Sequence, residues 1–100
     1  MIKHIVMWKF KDEAENRTKL ENMTLVRDRL YALTKVVPQI QKMEIGFDFS
    51  KTPMSYDMML YTEFKTKEDL DIYAFDQEHA KVKKIVAATT EARVVLDYEV

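Results

Sequence analysis

The sequence contains no cysteine, which excludes a disulfide framework and any thiolate metal centre and fits a reducing compartment. Gly46 is its only glycine, so phosphate-cradling loops of the Walker or dinucleotide-binding kind cannot be built. Ser50 and Ser55, the only serines, share one turn-like segment, which argues against a nucleophile elbow. With two histidines, a transition-metal site would need several carboxylates, and none cluster at ligand spacing. No cofactor and no metal are therefore expected. Neither sign of charge dominates: 16 basic residues against 17 acidic ones leave a net charge of −1, without a basic stripe to attract nucleic acid. No apolar run approaches the length of a membrane span. The N-terminal run Met1 to Phe10 is interrupted at Lys9, with Lys11 following and no small-residue cleavage site, so it is not read as a signal peptide. The expectation is a soluble, cytoplasmic chain with no membrane partner. The chemistry left open is acid–base work by His, Tyr or a carboxylate, or binding without chemistry.

What is present describes a folded domain. An apolar fraction of 47% and a charged fraction of 33% over 100 residues suit a single globular unit spanning residues 1–100. Ile2 to Phe10 reads as a strand, with Ile2, His4, Val6, Trp8 and Phe10 on one face and Lys3, Ile5, Met7 and Lys9 on the other. Lys11 to Asn16 is a polar connection in which Asp12 or Asn16 is placed to cap a helix. Leu20, Met23, Val26, Leu30, Leu33 and Val37 then recur in steps of three and four, and Pro38 ends that helix. Ile40 to Phe49 is a second strand in which Gly46 suggests a bulge or a close backbone approach. Ser50 to Ser55 reverses the chain, and Tyr56 to Phe64 is a third strand. Thr66, followed by Glu68 and Asp69, starts a short helix through Leu70, Tyr73 and Ala74. The pattern breaks at Asp76-Gln77-Glu78 and resumes with Val82, Ile85 and Val86 to about Thr89. Arg93 to Val100 is the last strand.

The order strand, helix, strand, strand, helix, strand is the split βαβ arrangement of α+β, ferredoxin-like domains, an antiparallel sheet with its helices on one face. Right-handed crossovers put both helices on the same side. The opposite face then carries Ile5, Met7, Met59, Tyr61 and Val95, an apolar patch of the kind that marks an interaction surface. Hiding half of a patch of several hundred Å² is worth several kcal/mol at about 25 cal/mol per Å². Two sheets packed about a twofold axis bury it symmetrically, so a homodimer is expected, with a monomer that tolerates scattered surface hydrophobes as the alternative.

Several stretches, in order along nearly the whole chain, resemble the stress-responsive dimeric A/B barrel family: Ile2-Lys3-His4-Ile5-Val6, Gly46-Phe47-Asp48-Phe49-Ser50, Tyr56-Asp57 leading to Phe64, Tyr73 with His79, and Arg93-Val94-Val95-Leu96-Asp97-Tyr98-Glu99. The resemblance implies a ferredoxin-like protomer that dimerises sheet to sheet into an α+β barrel. Many family members have no assigned activity. Those of the olivetolic acid cyclase type close a polyketide ring by intramolecular aldol condensation with a Tyr–His pair and no cofactor. Tyr73 and His79 match that pair in type and spacing, and His4 matches a cavity histidine of the first strand. Asp76 and Gln77 stand where the family often has His-Pro, and Met58 where the plant cyclase has a further histidine. The pocket is thereby less polar, and a plant-type polyketide is not implied as substrate.

The pair suits proton abstraction next to a carbonyl. An imidazole titrating near pH ~6.5 takes or gives a proton at neutral pH. A tyrosine hydroxyl, acidic only near pH ~10, hydrogen-bonds a carbonyl oxygen as enolate charge develops. Tyr73 also reads as an aromatic core residue, His79 as the start of the second half-helix, and His4 as a satisfied core histidine. Trp8, Met58 and Met23 are the candidate substrate-contacting residues, with Trp8 either walling a cavity or filling it. Three functions stay open: a cofactor-independent cyclase or lyase on a small apolar carbonyl compound, a non-catalytic binding or stress-related dimer, and a cofactor-free monooxygenase.

Overall fold

The computed structural model describes residues 1–100. Strand β1 (Ile2–Phe10) is followed by a two-residue hairpin, β2 (Glu13–Ala14) and β3 (Arg17–Thr18), and then by helix α1 (Lys19–Leu33). Strands β4 (Lys42–Phe47) and β5 (Met58–Phe64), helices α2 (Lys67–Ala74) and α3 (Gln77–Thr89), and strand β6 (Thr90–Glu99) complete the chain. The main sheet runs β4-β5-β1-β6 and is antiparallel throughout. This is the ferredoxin-like α+β fold, with the helices on one face of a four-stranded sheet. None of the helices is long and apolar enough to cross a membrane.

The core forms where the alternating strand faces meet the helix stripes. Val6, Trp8 and Phe10 of β1, Met58, Leu60 and Phe64 of β5, and Met23, Val26, Leu30 and Leu33 of α1 are buried together. Leu20, although in phase with the α1 stripe, is 63% exposed, in the first turn of a helix that starts at Lys19.

Thr18, rather than Asp12 or Asn16, is the N-cap. Its hydroxyl accepts from Glu21 N, and the Glu21 carboxylate accepts from Thr18 N, a complete capping box. The expected connection is taken up by the β2–β3 hairpin, turned by Glu15 and Asn16 in left-handed conformations (φ 55° and 60°). Asn22, fully buried, ties this hairpin to α1: its Nδ2 donates to the Ala14 carbonyl and its Oδ1 accepts from Arg17 Nε. At the other end α1 stops about a turn short of Pro38. Thr34, Lys35 and Val36 donate to carbonyls three residues back, and the Thr34 hydroxyl donates to the Tyr31 carbonyl, so the last turn tightens.

Two expectations about the sheet are corrected. No bulge interrupts the ladder at Gly46, which pairs with Met59 in unbroken register, and an added Cβ would make only an ordinary contact with the Met59 methyl group at 3.9 Å. Val95 pairs with Val6 and therefore lies on the helix-facing side; the open face of β6 carries Val94, Leu96 and Tyr98, opposite Met7, Ile5 and Lys3. The strand faces also end sooner than their alternation suggests: β4 stops at Phe47, and Phe49 is 92% exposed.

Candidate functional site

Helix α2 delivers Tyr73 in its last turn, and α3 delivers His79 in its first. The break between them is built by Asp76, whose side chain caps α3 by accepting from the backbone N–H groups of Glu78 (2.8 Å) and His79 (3.1 Å). The cap holds the His79 backbone in place beside the end of α2. His79 Nδ1 then lies 2.9 Å from the Tyr73 carbonyl oxygen. A carbonyl only accepts, so Nδ1 carries the proton, and in the neutral ring Nε2 keeps its lone pair. The two rings stack at 4.1 Å between centroids with an interplanar angle of 23°. Phe64 closes on Tyr73 from the sheet at 5.2 Å.

Strand β1 supplies His4 and Trp8 from its helix-covered face, and the β1–β6 register sets Asp97 opposite His4 and Arg93 opposite Trp8. His4 meets the Tyr73 ring edge-on at 6.2 Å. Its Nδ1 forms a short hydrogen bond with Asp97 Oδ1. A carboxylate accepts here, so this contact places a proton on Nδ1 and leaves His4 Nε2 as the ring's other nitrogen.

These side chains border a cavity of about 410 Å³ whose lining includes His4, Trp8, Tyr73 and His79 together with Leu30, Leu60, Val82 and Val86. Trp8 walls this space and does not fill it. Met23 and Met58 lie elsewhere: both are packed in the core and neither borders the cavity. Four residues with no site role in the sequence reading join it: Lys83 and Arg93 in the lining, Asp97 behind His4, and Asp76 behind His79. The strand pairing is the signal that would have found Arg93 and Asp97, since each sits directly across from a residue already singled out.

Burial governs the electrostatics. It pushes the Tyr73 hydroxyl far above its ordinary value, against the opposing charge of Arg93, so Tyr73 is a neutral donor at any physiological pH. That hydroxyl and Trp8 Nε1 are both buried with no hydrogen-bond partner in the chain. An unpartnered buried donor costs about 1–3 kcal/mol. His79 is lowered to about 4, chiefly by burial; the hydrogen bond to the Tyr73 carbonyl and the charge of Asp76 oppose this, while Lys83 and His4 reinforce it. At neutral pH the ring is therefore an uncharged acceptor at Nε2. No three His, Asp or Glu side chains converge as a metal-ligand set.

The arrangement is shared with known proteins at the level of fold. A dimeric protein of unknown function with a ferredoxin-like fold from Bacteroides fragilis is 33% identical, with a TM-score of 0.87 over 99% of this chain and 95% of that one. The hydroxynitrile lyase of Passiflora edulis is 16% identical, with a TM-score of 0.82 over 97% of this chain and 90% of the lyase. An antibiotic biosynthesis monooxygenase is 20% identical, with a TM-score of 0.75 over 100% of this chain and 98% of its own. At such identities the last two show the fold alone. No curated protein matches in sequence. The model of the stress responsive A/B barrel domain matches residues 2–100. With that match along nearly its whole length, the chain belongs to the stress responsive A/B barrel domain family.

Proposed function

We propose that the protein is a homodimer with a small-molecule cavity in each protomer, and that the cavity performs cofactor-independent acid–base chemistry of the cyclase or lyase class on a carbonyl compound. In this reading His79 Nε2 takes the proton from the carbon next to the carbonyl. The Tyr73 hydroxyl donates to the carbonyl oxygen and stabilises the enolate as its charge develops. The proton taken by His79 is returned from its Nε2, and His4, oriented by Asp97, supplies a second ring nitrogen beside the cavity. The observation that carries the reading is the hydrogen bond from His79 Nδ1 to the Tyr73 carbonyl, which leaves Nε2 free on a ring that lines a cavity together with Tyr73, whose hydroxyl has no partner in the chain. A positioned base and a positioned donor contribute about 10²–10⁴-fold and about 10²–10³-fold respectively. Loss of turnover in His79→Ala, with the fold intact, supports the role; unaltered turnover excludes it.

The dimer follows from the open sheet face. Met7, Val94, Leu96 and Tyr98 stay exposed there, and Ile5, Met59 and Tyr61 complete the patch. The helices cover only the other face, and a second copy supplies the missing layer. The Bacteroides relative, itself dimeric, supports this.

A binding dimer without turnover is the second reading. It draws on His79 itself, since a base lowered to about 4 has less proton affinity than one tuned near neutral pH. It predicts ligand-induced stabilisation with no product.

A further inference from the structure

The cavity lining holds donors and cations but no carboxylate. Trp8 Nε1–H donates only, and the neutral Tyr73 hydroxyl has its proton to give; both are buried and unpartnered. Lys83 on α3 and Arg93 on β6 add permanent positive charge to the lining, which contains no Asp or Glu. Lys83 uses one of its three donors on the Ala74 carbonyl. Arg93 makes no ion pair or side-chain hydrogen bond within the chain, although it carries five donors in a fork shaped for a carboxylate. The unpartnered donors belong to buried residues and the cations to exposed ones, so the positive charge lies on the solvent side of the site. Val6, Leu60 and Val82 provide an apolar wall.

We propose that the ligand is a small organic carboxylate bearing a second acceptor oxygen, that is, an oxo-carboxylate. Its carboxylate pairs with Arg93 and Lys83, its apolar body lies along Val6, Leu60 and Val82, and its keto oxygen takes the free donors of Tyr73 and Trp8. This names the substrate class of the cavity and rests on its being a small-molecule site. A neutral ketone of the same shape would satisfy the buried donors but leave the rim charges without a partner. An inorganic anion would do the reverse.

The test compares 3-benzoylpropionate with its neutral amide, by calorimetry and by the fluorescence of Trp8, the only tryptophan and a wall of the cavity. The expected result is that the acid binds at least about tenfold more tightly than the amide, that Arg93→Gln abolishes the difference, and that Arg93→Lys restores part of it. Thermal melting of each variant checks the fold, and Lys83→Met provides an independent loss of rim charge. Equal binding of acid and amide overturns the carboxylate assignment and leaves the small-molecule site standing. Binding by neither overturns both.

Discussion

His79 donates from Nδ1 to the carbonyl of Tyr73 at 2.9 Å while its ring stacks on the Tyr73 ring at 4.1 Å. One residue thus fixes both the tautomer and the plane of the other. The Tyr73 carbonyl accepts both the Asp76 N–H (3.3 Å) and the imidazole, and the chain break at Asp76 is what lets the His79 ring fold back onto it. The departure from the His-Pro pattern of the family is therefore compatible with an ordered site: Asp76 supplies the cap that restarts the helix.

Removing that cap tests the dependence. Asp76→Ala is expected to cost about 1 kcal/mol of stability, the usual value of an N-cap side chain. Asp76→Asn, which keeps an acceptor oxygen, is expected to cost less. Urea unfolding of the two variants measures the difference. Because the Asp76 charge raises His79, both variants are also expected to move the His79 titration further down, observable by NMR.

Stability is expected to depend on pH through His79. Its folded value lies near 4, below the ~6.5 of an unfolded chain, so the unfolded state binds more protons between those values. The contribution is full above about pH 6.5 and is lost as pH falls toward 4. The partial exposure of the ring reduces its size to about 2 kcal/mol. The stability of the protein relative to His79→Gln, followed by unfolding midpoints across this window, should fall as pH drops from about 6.5 toward 4.

Tyr73→Phe separates function from stability. The Tyr73 hydroxyl is buried with no partner, so its removal is expected to leave the free protein as stable or about 1 kcal/mol more stable. The same change removes the donor proposed to hold the carbonyl oxygen, with an expected loss of about 10²-fold or more in rate. Denaturant unfolding and turnover measured on one preparation check both signs.

The open sheet face is tested by charge. Leu96 is 59% exposed and directly opposite Ile5. Leu96→Lys is expected to shift a dimer to monomers at micromolar concentration, and Val95→Lys, on the other face of the same strand, is expected not to. Sedimentation velocity distinguishes them.

How far the sequence could be read differs by element, for physical reasons. Strands β1 and β5 alternate with one row more apolar or aromatic than the other, and α1 carries a stripe in steps of three and four, so the layers and the face bearing His4 and Trp8 follow from pattern. Strand β6 does not choose a face in this way, since Val94, Leu96 and Tyr98 alternate with Arg93, Val95 and Asp97 and both rows contain apolar groups. Only its pairing with β1 decides, and that pairing brings Asp97 to His4. The β2–β3 hairpin has no glycine at its turn and too few residues for alternation to register. Apolar periodicity predicts that Met23 and Met58 are buried, but it cannot tell a packed core from the wall of a cavity.

The most direct test of the acid–base account is deuterium exchange at the carbon next to the carbonyl of 4-phenylbutan-2-one, followed by NMR in D2O. The assay needs no knowledge of the natural substrate, because it reads proton abstraction alone. The account predicts exchange faster than in buffer, reduced by about 10²–10⁴-fold in His79→Ala and also lowered in Tyr73→Phe. Exchange no faster than buffer while the ketone is bound, or exchange unchanged in His79→Ala, would contradict it.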